Sequence, residues 1–268
     1  MIYAAIVLYN KNCADSVTIQ SLQKWSTQKT IRVVIFDNSI SDFGNEKFCT
    51  EHNYKYLTYH ENKGLSFAYN RIIENIQADS DDYVLILDDD TELTEEFLRE
   101  IVFCEKKDIN LPVVRSIQDG HIFSPSIKKN RIRSIVIQSV NELEGNQITA
   151  INSGMVIKAS VFESIRYNES LFLDCVDHDF MDQVNERGYE IKILQSLIFQ
   201  NLSRQNIKNN ESTKARMIIY GKDFKKYCYA KKRYIYFLIS FFQSSIEYYK
   251  KTGSFSYLRI YFKTLFGE

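Results

Sequence analysis

The stretch Tyr83–Asp90, YVLILDDD, joins five apolar residues directly to three aspartates. Apolar residues at consecutive positions are typical of a strand that is buried on both faces, as in a parallel sheet. Ile2–Leu8 (IYAAIVL), Arg32–Phe36 (RVVIF) and Tyr54–Tyr59 are similarly rich in β-branched or aromatic residues. We therefore predict four sheet strands within the first ninety residues.

Helix-like stretches separate these strands, at Asp15–Thr27, Asp42–His52 and Ser66–Ile76. Alternating strands and helices predict a doubly wound α/β domain, in which ligands bind beyond the carboxyl ends of the strands. The later segments predict a helix at Glu95–Lys106, a strand at Pro112–Val114, a strand pattern at Ile148–Ile157, and a loop entering a helix within Leu171–Gly188.

All four predicted strands are followed by polar residues. These are Tyr9-Asn10, Asp37-Asn38-Ser39, Asn62-Lys63-Gly64 and Asp88-Asp89-Asp90, in chain order. Stability of the sheet needs only its apolar faces, so four polar strand ends at one edge indicate a binding site.

The triplet Asp88-Asp89-Asp90 is the candidate metal site. Carboxylates crowded at a strand end repel one another, and a bound cation relieves that repulsion. Oxygen ligands favour Mg²⁺ or Mn²⁺, which complete their coordination with water and substrate phosphates. The alternative is an acidic loop that caps the following helix through Thr94.

Two further strand ends are candidates for binding a nucleotide. Asp37 is suited to accept hydrogen bonds from a base or a ribose hydroxyl, and the alternative is an ordinary turn aspartate. Gly64 precedes a predicted helix whose N-terminal N–H groups, with Lys63, could bind a diphosphate. The alternative there is a plain helix start.

A second acidic cluster, Asp174–Asp179 (DCVDHD), precedes another predicted helix. Activation of a hydroxyl needs a base that is held near the electrophile but away from the metal. Asp177 and Asp179 are two residues apart and point in different directions, so that one could abstract a proton while the other binds acceptor hydroxyls. The alternative is a helix start whose acids complement the helix dipole.

Composition excludes several classes of protein. The 34 basic and 34 acidic residues give no net charge, which argues against general nucleic-acid binding. Two prolines and nine glycines among 268 residues exclude collagen-like and low-complexity chains. Walker, Gly-x-Gly-x-x-Gly, His-Glu-x-x-His and Gly-x-Ser-x-Gly motifs are absent from the sequence.

The expected location is the cytoplasm. Five scattered cysteines without a Cys-x-x-Cys pair suit a reducing compartment, and the apolar start lacks the features of a signal peptide. From 204 to 233, ten basic residues face two acidic ones, and the aromatic runs YIYFLISFF and YLRIYFKTLF follow. Basic and aromatic helices suit either a membrane interface or packing, on the sheet domain or in a homodimer.

The chain resembles the inverting family 2 glycosyltransferases of GT-A fold, and among them the bacterial rhamnosyltransferase-like branch. The resemblance rests on six segments between residues 2 and 200, in the family's order. They are AAIVLYN (4–10), VVIFDNS (33–39), NKGLSFAYN (62–70), LILDDDT (85–91), NSGMVIKASVF (152–162) and LFLDCVDHDF (171–180).

The resemblance implies a Rossmann-like mixed sheet flanked by helices at residues 1–203, with a helical C-terminal extension at 204–268. It also implies roles for single residues. Asp90 would contact the metal, Asp88 the ribose or the metal, Asp177 would be the base, and Asp179 would face the acceptor. The implied donor site comprises Tyr9, Asn10, Asp37, Asn38, Lys63, Gly64, Asn70, Asp88, Asp89, Asn152, Ser153 and Gly154.

The implied reaction is transfer of rhamnose from dTDP-rhamnose to a saccharide or lipid-linked acceptor in the synthesis of O-antigen or capsule. A UDP-hexose or UDP-galactofuranose donor is the nearest alternative. A sugar nucleotidyltransferase or a non-catalytic sugar-nucleotide-binding protein are alternatives of another class. One position departs from the family pattern, because Gln200 and Asn201 stand where many relatives have a histidine that completes the metal shell.

Overall fold

A computed structural model describes residues 1–25, 30–130, 132–200 and 209–267 of the chain. The strands are β1 (Ile2–Leu8), β2 (Ile31–Asp37), β3 (Lys55–Thr58), β4 (Tyr83–Leu87), β5 (Ile109–Ser116), β6 (Ile122–Ser124), β7 (Ser126–Lys129), β8 (Arg133–Ile135), β9 (Ile148–Thr149), β10 (Met155–Lys158) and β11 (Ile191–Gln200). The helices are α1 (Val17–Trp25), α2 (Asn45–Glu51), α3 (Leu65–Asn75), α4 (Glu95–Phe103), α5 (Val176–Arg187), α6 (Glu211–Ala230), α7 (Tyr234–Thr252) and α8 (Ser256–Phe266).

The main sheet has the strand order β11-β5-β10-β4-β1-β2-β3. Strand β1 pairs in parallel with β2 and β4, and β2 pairs in parallel with β3. Strand β10 is antiparallel to both of its neighbours, and β6 adds an antiparallel edge to β5. The prediction of a mixed α/β sheet flanked by helices, with a helical extension, is confirmed.

Two segments differ from their predicted structure. The strand pattern at Ile148–Ile157 is divided between β9 and β10, which belong to different sheets. The chain reverses between them at Gly154, whose φ is +81°, a conformation that glycine adopts readily. Strand β11 was not predicted, and its pairing with β5 shifts register between Ile193 and Leu197. Its buried positions include the polar residues Ser196 and Gln200, so the apolar–polar alternation by which strands are recognised is missing.

The sheet separates two apolar layers. Along β1, Tyr3, Ala5 and Val7 belong to one layer, whereas Ile2 and its alternate neighbours belong to the other. Successive strand side chains point to opposite faces, so a continuous apolar run is buried on both sides. Helices α3 and α5 cover the first face, while α1 and α4 cover the second.

The C-terminal helices pack on the first face of the sheet. Phe224 of α6, Phe237 of α7 and Tyr257 of α8 belong to the same buried cluster as Tyr69 of α3 and Phe180 of α5. The predicted boundary at 203 falls within 201–208, outside the described residues. Within the described ranges, every helix is too short or too polar to cross a lipid bilayer.

Candidate active site

Hydrogen bonds join the loops that follow the first three strands. The backbone N–H of Asn10 donates to Ser39 Oγ at 2.8 Å, which links the loops after β1 and β2. Asn38 accepts from the N–H of Lys63 at 3.0 Å and donates to the carbonyl of Gly64 at 3.3 Å, which links the loops after β2 and β3. These predicted donor-site residues therefore form one continuous edge, at which Tyr9 is exposed.

Asp88 lies at the centre of this edge, directly after β4. Its two carboxylate oxygens accept hydrogen bonds from Ser153 Oγ at 2.6 Å and from the Tyr69 hydroxyl at 3.2 Å. Burial raises the pKa of Asp88 to about 6, and the negative charge of Asp90 adds to this effect. Asp88 follows β4 and Ser153 precedes the neighbouring strand β10. The pairing of these two strands brings the two predicted residues into direct contact.

The other two aspartates of the triplet point to different partners. Asp89 forms an ion pair of 2.8 Å with Lys11, which follows β1. Asp90 accepts a hydrogen bond of 3.2 Å from Gln200 Nε2 at the end of β11. Partial burial, together with the charge of Asp89, raises the pKa of Asp90. The triplet therefore connects β1, β4 and β11, and its three carboxylates do not share one position.

Oxygen ligands for a divalent cation are available beside Asp90. The Oε1 atom of Gln200 is buried and has no hydrogen-bond partner among the described residues, while its Nε2 atom contacts Asp90. A carboxylate and an unpaired amide oxygen are the ligand types that Mg²⁺ and Mn²⁺ accept. Within the described ranges no three His, Cys, Asp or Glu side chains converge on one point. The residues fit a cation that the protein shares with a diphosphate. Asn201 lies outside the described residues.

Asp37 is buried at the end of β2 and is held from three directions. It accepts hydrogen bonds from the N–H of Ser39 at 3.0 Å, from Asn45 Nδ2 at 2.7 Å and from the Tyr56 hydroxyl at 3.0 Å. These bonds fix the carboxylate at the strand end. Its predicted role toward a nucleotide stays a prediction.

The remaining predicted donor-site residues have well-defined contacts within the protein. Asn70 donates to the carbonyl of Tyr167 and to Glu169 Oε1, both at 2.9 Å, and accepts from the N–H of Tyr167. Asn152 accepts from the Tyr167 hydroxyl at 3.2 Å. Asn70 and Asn152 therefore hold the Tyr167 segment, and these contacts explain their burial without a ligand.

Gly64 makes a close approach to the loop before α5. Its φ is +86°, and a Cβ atom at this position would overlap the backbone oxygen of Phe172. The N–H of Leu65 donates to that same oxygen at 2.7 Å. The N-terminus of α3, the predicted diphosphate site, is thus packed against the loop that leads to Asp177.

The charges of Asp177 and Asp88 both act on one buried aromatic pair. The rings of Tyr69 and Tyr167 have centroids 5.2 Å apart, and both side chains are almost fully buried. Burial raises the pKa of both tyrosines well above the ordinary value, and the charges of Asp88 and Asp177 act on both in the same direction. The two predicted acidic clusters are therefore brought close enough to influence the same side chains.

Asp179 faces a different part of the molecule. Burial raises the pKa of Asp179, the nearby charge of Lys231 opposes this shift, and Asp182 contributes to it. Its carboxylate accepts a hydrogen bond of 3.3 Å from Gln183. The two acids have different hydrogen-bond partners, since Asp177 accepts from the backbone N–H of His178 at 2.7 Å, and their separate roles stay a prediction.

Helix α6 holds the loop that precedes α5 and Asp177. The carboxylate of Asp223 accepts hydrogen bonds from the backbone N–H groups of Phe172, Leu173 and Asp174, at 3.1, 2.8 and 3.0 Å. Arg216 also donates two hydrogen bonds to Asp174, one of them at 2.9 Å. The C-terminal extension is therefore part of the structure that positions the second acidic cluster.

Sequence reasoning missed Lys11, Tyr69, Asp223 and Arg216. Lys11 directly follows the predicted strand end, and Tyr69 lies inside the segment NKGLSFAYN, so both had a local signal. Asp223 is one of only two acids among the ten bases at 204–233, and that isolation could have indicated a specific partner.

Comparison with known proteins was made for both sequence and structure. Residues 4–165 match the family model described as glycosyl transferase family 2. The sequence matches no curated protein at a significant level.

Solved structures with the same fold include three transferases. A crystal structure of GalNAc-T7 with UDP, GalNAc and Mn²⁺ matches with a TM-score of 0.59 and 11% identity, covering 89% of this chain and 56% of that chain. Residues 1–349 of S. aureus TarS match with a TM-score of 0.54 and 15% identity, covering 98% and 81%. Mannosyl-3-phosphoglycerate synthase from Rubrobacter xylanophilus matches with a TM-score of 0.55 and 13% identity, covering 87% and 75%.

The chain spans little more than half the length of GalNAc-T7. At identities this low, the structural comparison shows the fold. The family model matches more than half of the chain, which therefore belongs to glycosyl transferase family 2 and is a glycosyltransferase of GT-A fold.

Proposed function

We propose that this enzyme transfers a sugar, with inversion, from a nucleotide-diphosphate donor to a saccharide or a lipid-linked oligosaccharide of the bacterial surface. The observation that carries the proposal is the arrangement of two acidic residues: Asp88 follows β4 at the donor edge, and Asp177 follows the loop whose Phe172 carbonyl accepts a hydrogen bond from the N–H of Leu65 at that edge. It provides one acidic group at the donor edge and a second, separate one for the acceptor, which is what glycosyl transfer between two bound sugars requires.

Donor binding in this proposal uses the carboxyl-terminal edge of the sheet. Asp37 and Asn38 bind the base or the ribose, and the exposed Tyr9 covers the nucleotide. Lys63 and Lys11 supply positive charge for the diphosphate, since both lie at strand ends and both are paired with acids that a diphosphate can replace. Asp88 binds the ribose through the carboxylate that Ser153 and Tyr69 orient.

Asp177 is the proposed general base. It removes the proton from an acceptor hydroxyl, whose oxygen attacks the anomeric carbon while the bond to the diphosphate breaks on the opposite face of the sugar. The new glycosidic bond therefore has the inverted configuration. A positioned base of this kind contributes about 10²–10⁴-fold to the rate. Asp179 binds other acceptor hydroxyls.

Asp90 and Gln200 are the proposed protein ligands of Mg²⁺ or Mn²⁺, supported by the orphaned amide oxygen beside the carboxylate. When bound, the cation neutralises charge that develops on the departing diphosphate. The relative GalNAc-T7 was crystallised with Mn²⁺ and UDP, and a TarS structure contains UDP.

The preferred donor in this proposal is dTDP-rhamnose, on the resemblance of the six sequence segments to the rhamnosyltransferase-like branch. A UDP-hexose or UDP-galactofuranose is the second candidate, and the UDP complexes of structural relatives favour it. A lipid-linked acceptor would bring a cytoplasmic enzyme to the inner face of the cell membrane. The C-terminal helices are the proposed contact there, or alternatively in a homodimer.

Product analysis tests the proposed function. The purified protein is incubated with Mn²⁺ and a panel of dTDP- and UDP-sugars, with and without a saccharide acceptor. We expect release of a nucleoside diphosphate that depends on the acceptor. Release of pyrophosphate would instead identify a nucleotidyltransferase. Donor binding without turnover over the whole panel would favour the non-catalytic alternative.

A further inference from the structure

We infer that the exposed face of α7 and α8 binds an anionic lipid surface. Phe255, directly before α8, and Phe262 and Phe266 of α8 remain 69%, 52% and 74% exposed. Arg259 and Lys263 lie between them on the same exposed face. The five residues and Leu258 line a surface groove of about 670 Å³. Large aromatic side chains interleaved with cations are typical of a helix that lies in the plane of a membrane interface.

Helix α7 extends this face. Its residues Ile235 and Ile239 are 72% and 54% exposed. Phe242, also exposed, contacts the ring of Tyr261 at a centroid distance of 5.2 Å, and Tyr261 contacts Phe262 at 5.3 Å. The two helices thus present one continuous apolar surface and not two separate ones.

This surface is held in place by the packing of α7 and α8, because the opposite sides of both helices are buried. Phe237 and Phe241 of α7 and Tyr257 of α8 pack in the core beneath the sheet. Lys225 of α6 donates to the carbonyls of Thr264 and Leu265 at 2.9 and 3.0 Å and so holds the end of α8. The packing of the two helices therefore does not depend on the exposed aromatic residues.

The positive charge of this region favours an anionic lipid surface as the partner of the exposed face. Residues 232–268 contain six Lys or Arg and two acidic residues, Glu247 and Glu268, which gives this region a net charge of +4. An anionic leaflet attracts such a surface. A second copy of the chain is disfavoured, because a symmetric dimer would bring two equally positive faces together. The inference rests on the proposed function in one respect only, namely that a lipid-linked acceptor would lie at the membrane surface that these helices bind.

Vesicle flotation of the full chain tests the inference. We expect binding to phosphatidylcholine vesicles that contain phosphatidylglycerol, and loss of that binding at high salt. The variant Phe262→Ser/Phe266→Ser should bind at least about tenfold more weakly. The matched control Phe103→Ser/Val136→Ser removes two exposed apolar residues elsewhere and should bind as the native chain does. Arg259→Gln/Lys263→Gln should weaken binding to anionic vesicles about fivefold for each lost charge.

Failure of the native chain to bind anionic vesicles would overturn the inference. Equal binding by Phe262→Ser/Phe266→Ser and by its control Phe103→Ser/Val136→Ser would overturn it as well. A concentration-dependent dimer that Phe262→Ser/Phe266→Ser abolishes, without vesicle binding, would assign the face to a second copy. Calorimetry of nucleotide binding on the same samples separates this result from the proposed function. We expect the donor site to be unaffected in every surface variant, because these residues lie outside it.

Discussion

Asp223 accepts a hydrogen bond of 2.8 Å from the backbone N–H of Leu173, across 50 residues of sequence. The same carboxylate binds the N–H groups on either side, so one buried acid from the C-terminal extension orders three consecutive residues of the loop before α5. Charge-assisted bonds of this kind are about twice as strong as neutral ones. The position of Asp177 thus depends on a helix outside the segment that matches the family model.

The first prediction concerns this contact. Asp223→Asn keeps the size of the side chain but removes the charge and one acceptor, so that the loop loses part of its order. We expect kcat to fall at least about tenfold with little change in donor KM, since the donor edge of the sheet is intact. Lys222→Asn, at the exposed neighbouring position, is the control and should retain native kinetics. An equal loss of donor affinity in Asp223→Asn would indicate a general folding defect instead.

The second prediction concerns the proposed base. Asp177→Asn removes the group that accepts the proton, and we expect kcat to fall about 10²–10⁴-fold. Donor affinity, measured by calorimetry, should stay within about twofold of the native value, because the donor edge does not include this side chain. Glu186→Gln, on the exposed side of the same helix, should leave both quantities unchanged. Native turnover by Asp177→Asn would remove Asp177 from the mechanism.

The third prediction concerns metal-dependent nucleotide binding. Asp90→Asn and Gln200→Ala each remove one proposed oxygen ligand. We expect each to weaken nucleoside-diphosphate binding in Mn²⁺ by about tenfold or more, and to have much less effect in EDTA. Glu92→Gln, two residues beyond Asp90, is the control. Equal losses with and without Mn²⁺ would show that these side chains act on the nucleotide directly.

The fourth prediction follows from the pKa of Asp88, raised from 3.8 to about 6 chiefly by burial. In metal-free and nucleotide-free protein, the folded state then binds this proton more tightly than the unfolded state does. Protonated Asp88 favours folding below about pH 4, and this contribution is lost as the pH rises through 6. Relative to Asp88→Asn, the free energy of unfolding of the native chain should decline over that range, by at most about 1.4 kcal/mol per pH unit.

Urea denaturation in EDTA at about pH 4, 5, 6 and 7 measures this difference. The two proteins should differ by a constant amount above about pH 7, where Asp88 is ionised in both states. Parallel curves through the whole range would mean that Asp88 has an ordinary pKa in the folded protein. The comparison with Asp88→Asn is needed because it cancels the pH dependence that comes from the rest of the protein.

The parts of the site that the sequence predicts are those with local signals. An apolar run followed at once by polar residues marks the end of β1, β2 and β4, and the alternation of strands and helices brings those ends together. The contacts between side chains across the site have no local sequence signal. Asp90 and Gln200 are 110 residues apart, and Lys11 and Asp89 are joined only by the neighbouring positions of β1 and β4.

The limits of the prediction have a physical origin in the sheet. In strand β11 the polar residues Ser196 and Gln200 are buried while the apolar Leu197 and Phe199 are partly exposed, so the sequence lacks the usual alternation and Gln200 could not be assigned to the donor edge by pattern. The role of α6 depends on a carboxylate whose partners are backbone N–H groups, which every residue except proline possesses. No sequence pattern identifies such partners.

The fifth prediction concerns Gly64, which the sequence marks as a diphosphate-binding residue and the structure marks as a close contact. Alanine at φ +86° and ψ 172°, a region essentially restricted to glycine, costs about 1–3 kcal/mol, and its Cβ would also overlap the backbone of Phe172. We expect Gly64→Ala to lower the free energy of unfolding by about 2–4 kcal/mol. Gly120→Ala is the matched control, because Gly120 has a φ of +71° but no atoms within 4 Å of the added Cβ.

The difference between the two variants separates the close approach to Phe172 from the positive φ that both glycines have. We expect Gly64→Ala also to lower kcat, since the displaced loop leads into α5, which carries Asp177, and its Phe172 carbonyl accepts a hydrogen bond from Leu65. Gly120→Ala should lose stability alone. If both variants are equally destabilised and Gly64→Ala weakens only nucleotide binding, then Gly64 acts on the diphosphate and its approach to Phe172 is incidental.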